Sequence, residues 1–205
     1  MKFSRMQLEA MKELTNIGAA HAATSLSQIL GTAVHMTVPE IRILDVSRIG
    51  EVLGDEVATM VVFQLQGDLP HGGFLVLHFP NESAARTACI MCGTIAGDIS
   101  LGEMEQSALL EAGNIMVSSF LSATSDLLGM MMLPSPPSVA VDIIHAVIQS
   151  LIAGMGVDVD DIIVFQIHLS SEEHQISGNI ILLLEQTTMG RIASILERMV
   201  GPASG

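Results

Sequence analysis

Two stretches of this chain carry one pattern 98 residues apart: Glu13-Leu14-Thr15-Asn16-Ile17 and Glu111-Ala112-Gly113-Asn114-Ile115 share Glu-x-x-Asn-Ile. In the same register Glu9 stands with Ser107, Ser27 with Ser125, Leu30-Gly31 with Leu128-Gly129, and Pro39 with Pro137. A register kept without insertion over about thirty residues marks an internal duplication. The chain then reads as one domain, 1–205, made of two repeats of about 1–98 and 99–205.

The local patterns agree between the halves. Residues 5–30 place Met6, Leu14, Ile17, Ala20, Thr24 and Leu30 at helical intervals before Gly31, which predicts a long helix. Residues 103–128 predict a second, ended by Gly129. Each helix leads into an extended passage through its proline, because proline disfavours helix at the residue before it. Strands are expected at 57–65 and 73–79, then at 162–169 and 177–184, from runs such as Val61-Val62-Phe63 and Ile162-Ile163-Val164-Phe165. A helix closes each half, at 82–91 and 189–199. The second half has an extra apolar helix at 141–153, where the first has only a short segment at 47–53. The expected class is α+β: duplicated helix–strands–helix halves with pseudo-two-fold symmetry, a central β-sheet flanked by helices.

Composition narrows the partners. The net charge is −14, which repels phosphate backbones and anionic headgroups, so neither nucleic acid nor a membrane surface is expected as a partner. Hydrophobic residues make up 49% and charged residues 15%, a balance that fills a core and argues against disorder. The apolar stretches are too short or too interrupted to span a bilayer, and no targeting segment is evident. Cys89 and Cys92 cannot staple a secreted domain of this size, so a cytoplasmic setting is expected. Their C-x-x-C spacing lies in an apolar helix without a second pair and reads as core thiols. The seven histidines show no metal-ligand spacing, and Met130-Met131-Met132 reads as packing. No metal site, phosphate loop or nucleophile elbow is expected.

The repeated pair is where chemistry can sit. Glu13 and Asn16, three apart on a helix, project from one face, with Glu9 one turn earlier; Ser107, Glu111 and Asn114 repeat the arrangement. A lone Glu-x-x-Asn is ordinarily a solvated stripe. Asn, however, costs about 0.5 kcal/mol against Ala within a helix, yet it stands mid-helix twice, among Ala, Ile, Gly and Met. Small, apolar neighbours around a carboxylate and a carboxamide suit a surface that another protein approaches closely.

Residues 16–27 and 111–116 resemble the two signature helices of the CheC phosphatases. That family's pattern is Asp or Ser, three residues, Glu, two residues, Asn, about twenty-two residues, then Pro. Ser107, Glu111, Asn114 and Pro137 match it throughout; Glu13, Asn16 and Pro39 match in the first copy, where Glu9 replaces the usual Asp or Ser. The resemblance implies a protein-aspartyl-phosphate phosphatase that hydrolyses the phosphoaspartate of a CheY-type response regulator in chemotaxis. Its sites would be Glu13 with Asn16 and Glu111 with Asn114, supported by Glu9, Ser107, Pro39 and Pro137. The two prolines would shape the extended passages rather than touch substrate. A carboxamide can both donate to and accept from a water, and so hold it in line with phosphorus. Each Glu would pair with a cation beside the regulator's phosphorylation pocket. The chain would need no cofactor of its own, the Mg²⁺ being the regulator's. The alternative is a non-catalytic module of the chemotaxis or flagellar switch system that binds the regulator or a receptor deamidase, CheD. The candidate CheD surface is the extra helix of the second half, around Asp142.

Overall fold

A computed structural model describes residues 3–45, 55–69, 72–94, 101–154 and 161–200. Helix α1 spans Arg5–Leu30, and strands β1 (His35–Asp45), β2 (Val57–Gly67) and β3 (Gly73–Phe79) follow. Helix α2 (Asn81–Cys92) closes the first half. The second half runs α3 (Glu103–Leu128), β4 (Met132–Pro134), β5 (Ser138–Ile143), α4 (Ile144–Gly154), β6 (Asp161–Ser171), β7 (Ile176–Glu185) and α5 (Gln186–Val200). The segment 47–53 lies outside the described residues.

The two long helices end alike for a backbone reason. Gly31 and Gly129 both sit in the left-handed region, at φ 66° and 59°, where a Cβ is strained. Their beginnings differ. Ser4 caps α1 through a capping box with Gln7, its Oγ accepting from the Gln7 N–H at 3.2 Å while its own N–H donates to Gln7 Oε1 at 2.8 Å. Helix α3 starts from Gly102 without a side-chain cap, and Glu103 and Glu105 face the positive end of its dipole.

All pairings in the sheet are antiparallel, and the order is β1-β6-β7-β3-β2-β4, with β5 also on β2. That order is a statement of symmetry. Shifted by 98 residues, β1 falls on the stretch that holds β4 and β5, so each half lays its first strand against the other half's hairpin. The halves interlock, and the symmetry axis passes between β7 and β3. Proline marks both edges. The register of β1 against β6 slips by one residue between Thr37 and Glu40, around Pro39, and the second copy is broken outright between Pro134 and Ser138, where Pro136 and Pro137 stand.

The sheet buries both faces of its central strands. Val61, Phe63, Leu75, Leu77, Phe165, Ile167 and Leu182 meet α1, α2, α3 and α5 in the larger core. Met60, Val62, Val76, Val164, Ile181 and Leu183 meet Ile144, Ile148 and Ile152 of α4 on the other face. The expected helix over 141–153 is corrected at its start, where residues 141–143 belong to β5. Val141 pairs with Thr59 and Ile143 with Val57, a place that suits β-branched side chains. Asp142 is therefore an exposed residue of an edge strand, its carboxylate accepting from the Ile143 N–H at 2.7 Å, and it is not on the helix. Cys89 and Cys92 are free thiols in α2. Among the described residues no helix is long and apolar enough to cross a membrane.

Candidate functional site

Helices α1 and α3 lie side by side and antiparallel over the larger core. Met11, Leu14 and Thr15 of α1 line one small cavity together with Thr124 and Leu128 of α3, whereas Ser25 reaches back to Ser119, their Oγ atoms 2.6 Å apart. Close approach is enforced by small residues. A Cβ on Gly18 would stand 2.7 Å from the Phe120 ring and 2.9 Å from Thr124 Cγ2. Gly113 lets α3 settle on the sheet in the same way, since a Cβ there would meet Leu77, Phe63 and Val61 at 3.1–3.2 Å.

The core-facing stripes of these helices define what faces outward. Met11, Thr15, Gly18, Ala19, Ala22 and Leu26 are buried on α1, and Leu109, Ala112, Gly113, Met116 and Phe120 on α3. Glu9, Glu13, Ser107, Glu111 and Asn114 are exposed, and Asn16 is half-buried. In exposure the two copies differ at one position, the carboxamide. Among the described residues no hydrogen bond or ion pair occupies the side chains of Glu13, Asn16, Glu111 or Asn114. A carboxylate and a carboxamide so placed can each accept a new partner without breaking an internal one. Pro39, at the bulge of β1, and Pro137, before β5, lie off the helices that carry the pairs.

Between the pairs lies a feature that sequence reasoning missed. An open polar groove follows the line between α1 and α3, and its walls are equivalent under the 98-residue shift: Ala20 with Ser118, Thr24 with Ser122, Ser25 with Ala123. Each Asn leads into it by steps of four, 16-20-24 on one helix and 114-118-122 on the other, the spacing that stacks side chains on one helical face. The signal was present in the small polar residues at those intervals, but it needs both helices side by side to become a groove.

A model of the CheC-like family matches this chain twice, over residues 6–43 and 104–141, themselves 98 residues apart. Over 174 residues the chain is 30% identical to the CheY-P phosphatase CheC of Bacillus subtilis, covering 82% of each. Among solved structures, FliY of Thermotoga maritima superposes with a TM-score of 0.79 at 23% identity, covering 97% of this chain and 99% of that one. The FliM middle domain of H. pylori gives 0.66 at 13% identity, covering 94% and 99%. These two share the fold. The doubled match falls on the two helices that carry the Glu/Asn pairs and on the strands that follow them, and with the identity to CheC over most of both chains it makes this protein a member of the CheC-like family.

Proposed function

We propose that the chain is a phosphatase acting on the phosphoaspartate of a CheY-type response regulator, with two sites, Glu13/Asn16 and Glu111/Asn114. The observation that carries this reading is the presentation, twice on one rigid helix pair, of a carboxylate and a carboxamide with no internal partner among the described residues. The naming of the Bacillus subtilis relative supports it. In the reaction a water oxygen forms a bond to phosphorus as the bond from phosphorus to the aspartyl oxygen breaks, leaving carboxylate and inorganic phosphate; the water's proton passes to the phosphate. Asn16 or Asn114 holds that water in line, its amide accepting from and donating to it, which is orientation rather than proton abstraction. Glu13 or Glu111 fixes the docked regulator by pairing with a cation. The charge of the phosphoryl group is met by the regulator's own Mg²⁺ in this reading.

Such a protein works in the cytoplasm, where its substrate resides. A CheD partner would meet the β5 edge around Asp142 rather than a helix face. Release of inorganic phosphate from a phosphorylated CheY-type regulator, with and without the chain, tests the reading. Acceleration that disappears in the Asn16→Ala/Asn114→Ala double variant supports it. Binding without acceleration would leave a non-catalytic regulator-binding module.

A further inference from the structure

The spacing of the two Glu/Asn pairs along the helix pair bears on how many partners can use them at once. The contacts between α1 and α3 place their crossing near Ala22 and Phe120, so each Asn lies six residues before it, at opposite ends of an antiparallel pair. At a rise of about 1.5 Å per residue and an interaxial distance of about 9 Å, Asn16 and Asn114 stand roughly 20 Å apart on one face. A stable protein partner covers about 800 Å² of each surface, a disc of about 16 Å radius, so two partners centred on the pairs would need about 32 Å between them. The footprints overlap, and the ground they share is the groove walled by Thr24 and Ser122.

We propose that the chain holds one response regulator at a time, in either of two poses related by the pseudo-two-fold axis. This rests on the phosphatase reading above. The groove belongs to both poses: a regulator seated on Glu13 and Asn16 lies across Ser118 and Ser122, and one seated on Glu111 and Asn114 lies across Ala20 and Thr24. The duplication then gives two chances of a productive encounter without two simultaneous reactions.

The experiment is a calorimetric titration with a CheY-type regulator from the same organism, loaded with beryllofluoride as a stable phosphoryl mimic. The expected stoichiometry is one regulator per chain. Glu13→Arg and Glu111→Arg, each at an exposed position, should each still bind one regulator, with about a twofold weaker apparent affinity, because one pose remains. The double variant should lose binding. Two regulators per chain would overturn mutual exclusion while leaving the phosphatase reading intact. Abolition of binding by one single variant would also overturn it, since only one pose would then exist. If neither binding nor accelerated phosphate release is seen with the unaltered chain, the phosphatase reading falls and the exclusion falls with it.

Discussion

The hydroxyls of Ser25 and Ser119 meet at 2.6 Å, joining α1 to α3 beside the groove. The Ser119 hydroxyl also has the Ile115 carbonyl within donating reach at 2.9 Å, and either hydroxyl can donate across the pair. The positions related by the 98-residue shift are Ala123 and His21, so the duplication supplies no second copy of this pair.

Removing that bond should loosen the helix pair modestly. Ser25→Ala is expected to cost about 1 kcal/mol in urea unfolding, and a double-mutant cycle with Ser119→Ala should show coupling of about 0.5–1 kcal/mol. Strictly additive losses would mean that the two hydroxyls do not act on each other in solution.

Gly18 gives a larger effect with a sign that propensity alone gets wrong. Alanine is favoured over glycine in a helix by about 1 kcal/mol. Here the added methyl meets the Phe120 ring and Thr124, and forcing it in costs about 1–3 kcal/mol. Gly18→Ala should therefore destabilise the chain, and pairing it with Phe120→Leu should recover part of the loss. Chemical denaturation of Gly18→Ala, Phe120→Leu and the pair measures this, and a stabilised Gly18→Ala variant would mean that α1 and α3 sit farther apart.

The ends of α1 and α3 were legible because local chemistry decides them: a helical apolar period stopped by a glycine in the left-handed region. The exposure of Glu13 and Glu111 followed from the same period. The start of α4 was not legible, because Val139, Val141 and Ile143 suit a helix flank and a strand equally until β2 is there to pair with them. Helix α5 begins three residues before the expected 189 because Glu185 caps it, accepting from the Thr187 and Thr188 N–H groups at 2.8 and 2.6 Å. The exchange of first strands between halves leaves no local trace either, since pairing partners are chosen only when the halves fold together.

His78 should set part of the acid sensitivity. Burial holds its pKa below the ordinary 6.5, against the opposing pull of Glu56, and Asn179 faces it across β3 and β7 with His168 beyond. The folded state therefore favours the neutral ring. Stability from this residue is complete above about pH 6.5 and is lost as pH falls below it, where the unfolded chain takes up the proton first. His78→Gln should flatten the fall in the urea midpoint between about pH 7 and 5. An unchanged slope would place the sensitivity elsewhere.

Kinetics of the site variants separate orientation of water from docking. Asn114→Ala, measured with the first site disabled by Asn16→Ala/Glu13→Arg, removes an interaction that strengthens only as the water attacks. It should lower kcat by roughly 10²–10³-fold with KM nearly unchanged, as losing one transition-state hydrogen-bonding group does. Glu111→Gln in the same background keeps the shape of the side chain and removes its charge, so it should raise KM and leave kcat nearly intact. Its effect should shrink with added salt, because the partner is a charge on the regulator. The reciprocal pair, Asn16→Ala and Glu13→Gln with the second site disabled, should divide in the same way. Neither carboxamide holds an internal hydrogen bond and Ala is favoured over Asn within a helix, so neither Asn16→Ala nor Asn114→Ala should lower Tm. Steady-state phosphate release against regulator concentration gives both constants. A rise in KM alone for the asparagine variants would make the pairs a docking patch and reassign the water to another group.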